Sequence, residues 1–226
     1  MRRRFLIAAL AFGIWSTQAF AEDDAHVVVF GAGEIAVVPD LAILSLGVRY
    51  EAVTAEEAMS QVSADMTAVM KTLSNEGIAE RDIQTARIQI KPIHHQGRRV
   101  QFLASNQVTV RMRDLGGVGR ILGQTIADGA NQVGGWSSGV RFDVSDPAPY
   151  EAQARKAAVQ NAMAKAKELA EAAGATLGPI KEIRESGTAR PRGIAMSRAA
   201  TAEAVPVAAG ELLIGSQVEM VFELNQ

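Results

Sequence analysis

Near the C-terminus, apolar residues fall at every second position, Val218, Met220, Phe222 and Leu224, with Gln217, Glu219 and Glu223 among the residues between them. A period of two places all the apolar side chains on one face, so this segment folds only as a strand with one face buried. The same alternation recurs upstream. Leu44, Leu46, Val48 and Tyr50 alternate with Ser45, Gly47 and Arg49, and Ile88 and Ile90 with Arg87, Gln89 and Lys91. Val108, Val110 and Met112 alternate with Gln107, Thr109, Arg111 and Arg113, and Val140, Phe142 and Val144 share a face. Strands polar on one side belong to antiparallel sheets covered on one face.

The covers are helices. Residues 54–75 place Met59, Val62, Met66, Val69, Met70 and Leu73 on one stripe, with Thr54 and Glu57 as a capping box and Gly77 as the left-handed stop. The methionines read as core rather than as an adaptable groove. Residues 114–131 predict a short helix, weakened by glycines, with Leu115, Val118, Leu122 and Ile126 inward. A long helix is expected from Asp146 as N-cap, with Pro147 at its first position, to Gly174. Its row Ala154, Ala158, Ala162, Ala166 and Ala170 has almost no side-chain height, which invites close approach by a sheet of the same subunit in preference to a neighbouring subunit.

Strands are expected over 27–38 and 41–51, joined by a type I turn at Pro39-Asp40. Others are expected over 82–92 and 100–113, joined at the tip HHQGRR, and over 136–144, 179–185 and 212–224. Residues 186–210 show neither period and read as a long flexible loop. The fold class is α+β, a largely antiparallel sheet or sheets with helices packed on one face, in the order ββαββαβαββ.

The N-terminus is expected to be removed. Arg2, Arg3 and Arg4 precede an apolar stretch from Phe5 to Trp15, and Ala19-Phe20-Ala21 has the small-x-small pattern of a signal-peptidase site. The apolar part is too short to cross a bilayer core of about 30 Å. Residues 1–21 are therefore a cleaved signal and 22–226 one domain, with no transmembrane segment after signal removal. Loss of three arginines takes the formal charge from −2 to −5. An acidic exported chain, read as having no basic cluster, points away from nucleic acid and anionic membranes. The chain has no cysteine, which removes disulfides, thiol nucleophiles and thiolate metal sites.

Three stretches imitate chemistry. GAGEIA at 31–36 fits the glycine fingerprint of a dinucleotide turn, with Glu51 about twenty residues on. That turn needs a helix next, yet Ile35, Ala36, Val37, Val38 and Pro39 follow, which favours a strand whose glycines admit a bulge or a close neighbour. Gly135-Trp136-Ser137-Ser138-Gly139 matches a nucleophile elbow, but a strand follows it and His26, His94 and His95 all precede Ser137. Adjacent His94 and His95 point to opposite sides of a strand and chelate poorly, and with Arg98 and Arg99 they read as a solvated tip. No catalytic, cofactor-binding or metal-ligating residue is assigned, and no cofactor.

Read together, the motifs resemble one family. They are Gly31-x-Gly33-Glu34-Ile35-x-Val37-x-Pro39-Asp40-x-Ala42, Gly77-Ile78 with Asp82-Ile83-Gln84-Thr85, and Gly129-Ala130-Asn131-x-Val133. Lys165-Ala166-x-x-Leu169-Ala170-x-x-x-Gly174 and the terminal segment 206–222 complete the set, in the order seen in SIMPL-domain proteins. The resemblance implies an exported periplasmic or outer-membrane-associated protein, often immunogenic and linked to oxidative-stress tolerance. It also implies a homo-oligomer, in some members a ring, with possible envelope partners and no established catalytic residues. The expectation is a non-enzymatic, self-assembling envelope protein; the alternative is a monomeric periplasmic binding module for a small ligand or peptide.

Overall fold

The computed structural model describes residues 25–95, 98–133, 139–194 and 208–225, without the side chains of 95, 98–100, 132–133 and 187–194. The strands are β1 (His26–Val37), β2 (Leu41–Ala52), β3 (Ile83–His95), β4 (Arg98–Met112), β5 (Gln132–Val133), β6 (Val140–Asp143), β7 (Thr176–Ile194) and β8 (Glu211–Asn225). The helices are α1 (Ala55–Asn75), α2 (Val118–Ala127) and α3 (Ala148–Ala172), with a single 3-10 turn at Glu80–Asp82. The fold is α+β with antiparallel sheets, and the expected order gains only the two-residue β5.

Two sheets form rather than one. The smaller runs β1-β8-β7, and the larger runs β3-β4-β2-β5 with β6 also pairing with β2. Helix α1 lies on β2 and β4, and α3 lies on β1 and β8. Thus β1 and β2 do not form the hairpin that Pro39-Asp40 suggested. Residues 38–40 instead carry the chain from the small sheet to the large one, and 144–147 carry it back. These two crossovers are tied together. The Asp40 carboxylate accepts from the Ser145 amide at 2.6 Å and from the Ser145 hydroxyl at 2.5 Å, and the Asp40 amide donates to the Asp143 carbonyl at 3.3 Å. Val37, Val144, Leu212 and Ile214 pack as a small core beside the crossovers.

Helix α1 forms as its sequence indicates. The Thr54 hydroxyl accepts from the Glu57 amide at 3.1 Å, and Ala58, Val62, Met66, Val69 and Leu73 are buried. Gly77 takes φ +78°, ending the helix in the left-handed region. Asp146 caps α3 by accepting from the Ala148 amide at 3.2 Å, with Pro147 already at helical φ and ψ. In α2, Val118 and Leu122 are buried as expected, but Ile126 is exposed and Ile121 and Thr125 take the inner positions. The Thr125 hydroxyl donates to the Ile121 carbonyl at 2.9 Å, so its burial leaves no unmet donor.

The loop expected at 186–210 is shorter than its composition suggested. β7 continues to Ile194, and four register shifts against β8 explain why no period of two is visible there. Residues 195–207 lie outside the described residues.

Candidate functional site

The opening glycines have a packing role. β1 runs through GAGEIA without a break and pairs residue for residue with β8 from His26↔Glu223 to Val37↔Leu212. No helix follows, and the unbroken register leaves no bulge. A Cβ on Gly31 would overlap the Ala158 carbonyl and sit 2.7 Å from the Ala162 Cβ. One on Gly33 would lie 2.5 Å from the Ala158 amide nitrogen and 2.8 Å from the Ala157 Cβ. The five alanines of the ridge are fully or almost fully buried. Glycine on the strand and alanine on the helix therefore let the two backbones touch, and the ridge is filled within the subunit. Glu51 lies on β2 in the other sheet, paired with Arg49 at 3.3 Å, so it cannot partner these glycines as a ribose ligand would require.

The α3 helix also covers the outer edge of β1. Asn161 Oδ1 accepts from the Ala32 amide at 3.2 Å, and Lys165 Nζ donates to the Phe30 carbonyl at 2.9 Å. These bonds satisfy backbone groups that an edge strand otherwise leaves open to pairing.

The motif Gly129-Ala130-Asn131 is equally structural. Gly129 has φ +107°, Ala130 is buried, and the Asn131 amide replaces the next residue of a strand. Its Oδ1 accepts from the Arg49 amide at 2.8 Å and its Nδ2 donates to the Arg49 carbonyl at 2.7 Å. β2 is thus bonded one step beyond its pairing with Gln132.

Ser137 falls in 134–138, outside the described residues, so the elbow motif has no described geometry. His94 is exposed at the end of β3, and His95 follows it in the strand opposite Arg98. The HHQGRR tip is mostly strand, with pairing reaching His95↔Arg98. His26 begins β1 in the other sheet. Among the described residues no three His, Asp or Glu side chains gather as a metal set. The perturbed acids lie near the crossovers. Ser145, first through its hydroxyl and then through its amide, holds the Asp40 carboxyl below its ordinary range. Asp82 is lowered by its hydrogen bond from Arg113, made at 2.8 Å.

What the sequence reading missed is a cationic strand pair and two uncovered apolar shelves. Residues 81–113 carry seven of the 23 Lys and Arg but one of the 25 acids, a formal +6 that corrects the view of a chain without a basic cluster. In each sheet, the core-facing side of the outer strand extends past the helix. Ile90 stands opposite buried Ala104 yet is 45% exposed, and neighbouring Ile88 is 61% exposed. Ile180 and Ile183 stand opposite buried Phe222 and Met220 and are 45% and 52% exposed.

Among the described residues no helix is long and apolar enough to cross a membrane. The profile of one family, SIMPL, described as a protein of unknown function (DUF541), matches residues 27–222. The 26 kDa periplasmic immunogenic protein of Brucella melitensis is 38% identical over 94% of this chain and 92% of its own length. YggE of Escherichia coli K12, an uncharacterised protein, is 30% identical over 98% of this chain and 94% of its own. The glycine–alanine interface and the Gly-Ala-Asn bridge thus sit inside a matched region that spans both sheets, and the chain belongs to the SIMPL family.

Proposed function

We propose that the protein is a non-enzymatic, exported component of the bacterial periplasm that works as a homo-oligomer in an envelope or oxidative-stress role. Residues 1–21 act as its cleaved signal and 22–226 as the working domain. The observation that carries the assembly reading is the pair of apolar shelves, Ile88 with Ile90 and Ile180 with Ile183. A sheet's apolar face is ordinarily covered by a second layer, and here α3 touches β7 yet leaves Ile180 and Ile183 about half exposed, as Ile88 and Ile90 are on β3. A second copy would supply the missing layer. The periplasmic setting is supported by the name of the Brucella relative, and the stress role by the family resemblance.

The test is the absolute mass of residues 22–226 by light scattering over a dilution series. A mass several times that of the protomer, persisting on dilution, is expected. A monomer at every concentration rejects assembly and favours the binding-module alternative, in which the open outer strands accept an extended peptide.

A further inference from the structure

We infer that the solvent face of the β3–β4 strand pair is the docking surface for the acidic body of a second copy, a contact that rests on the assembly reading above. The cations form a row. Arg87 stands opposite Gln107 and Lys91 opposite Leu103, while Arg111 lies further along β4. Positions 103, 107 and 111 share one face, opposite to that of core residues Ala104, Val108 and Met112; Leu103 on this face is itself buried, beside the exposed Lys91. The cations are therefore spaced about 13 Å apart along the strands. All three are exposed, and none enters an ion pair among the described residues. Gln89, Ser105 and Thr109 lie between them as neutral hydrogen-bonding groups.

Charge complementarity selects the partner. With +6 on residues 81–113, the rest of residues 22–226 carries a formal −11. The molecule is thus a cationic ribbon on an anionic body, and at working concentrations the complementary surface nearest to hand is another copy. Ribbon and acceptor are different patches, so the contact is head-to-tail and closes into a ring or extends as a filament. The ribbon presents Ile88 and Ile90 on one face and the cation row on the other. Docking through the cation face is therefore steered and registered by charge, and leaves the apolar shelf free for a separate contact.

The experiment measures the mass of wild type and of Arg87→Glu/Lys91→Glu/Arg111→Glu by light scattering at about 0.1 M and about 1 M salt, where screening lengths are about 10 and 3 Å. Circular dichroism and the melting midpoint check the fold, and the salt response of wild type stands whether or not the variant folds. Expected are a wild-type assembly that weakens at high salt and a folded variant whose assembly midpoint rises at least about tenfold. An assembly indifferent to salt, or a folded variant of unchanged mass, overturns the docking surface while the oligomer stands. A wild-type monomer overturns both. A variant that keeps its mass but loses sedimentation with anionic phospholipid vesicles overturns the inference in favour of a membrane surface.

Discussion

The two helix-on-sheet units solve one problem with opposite chemistry. In the larger sheet, α1 buries Val62, Met66, Val69 and Leu73 against Leu44, Leu46, Val108 and Val110, so large side chains fill the gap between helix and sheet. In the smaller sheet, the buried residues of α3 are all alanines, with Val159 and Tyr150 only partly buried beside them, and β1 answers with Gly31 and Gly33. The caps are alike, Thr54 on one helix and Asp146 on the other, so the difference lies in the contact and not in how the helices begin. A gap filled by side chains tolerates shape change through repacking. A gap closed by backbone has no side chain to move. The first unit is therefore sensitive to losing volume and the second to gaining it.

Opposite substitutions test that contrast most strongly. Gly31→Val places new carbon against the Ala158 backbone and should cost about 3 kcal/mol or more, because relief requires shifting a whole helix. Leu73→Ala should cost about 3–5 kcal/mol through lost burial and a cavity. The sharper comparison is Ala158→Gly, which removes volume from the alanine ridge and should cost only about 1 kcal/mol, a helix-propensity effect. Urea unfolding of the variants measures each. A Gly31→Val protein as stable as wild type would end the distinction.

Next in size is Asn131→Ala, about 1–2 kcal/mol, since it removes two hydrogen bonds that hold Arg49 of β2. It bears on the comparison because it is confined to the large sheet. Hydrogen exchange should rise around Arg49 and the β5 edge while β1 and β8 keep their protection. Equal loosening of both sheets would mean that the units do not respond separately. Cap removal sets the common scale. Thr54→Ala and Asp146→Ala should each cost about 1 kcal/mol, and a large inequality would locate the difference in the caps after all.

Much of this was legible in the sequence, for reasons tied to particular residues. Alternation and helical stripes depend on near neighbours, so β2, β4, β8 and α1 could be read directly. The pairing of β1 with β8 joins residues such as Val29 and Met220, far apart in the chain, and no local signal at Pro39-Asp40 separates a hairpin turn from a crossover. β7 lost its period to the register shifts, which flip the strand relative to its partner. The glycine role was half visible: Gly31 and Gly33 announced a close neighbour, and the alanine row announced a low ridge. That each is the other's partner is a fact of tertiary structure. The cationic ribbon was present in the sequence but hidden by averaging, since a net charge of −2 over the chain conceals +6 on one hairpin.

The smallest predicted effect concerns the joint between the two units. Asp40 is the acid that ties the crossovers, and Ser145 stabilises its charged form. Because the folded-state value is lowered, the stabilisation is complete above the unfolded carboxyl value of about 4 and is lost as pH falls through the folded value. Neutral pH changes should leave the clasp untouched, and acid should loosen it. Asp82, lowered by Arg113, titrates in the same acidic region, so acid destabilisation of wild type alone does not identify the clasp. The difference between wild type and Asp40→Asn does. That variant keeps the shape but has no charge to lose. The gap between the two melting midpoints should be constant from about pH 5 to 7 and shrink below about pH 4. A gap that persists at low pH would mean that the Asp40 side chain acts by shape alone, leaving the two units joined by packing around Val37 and Val144 rather than by a charged tie.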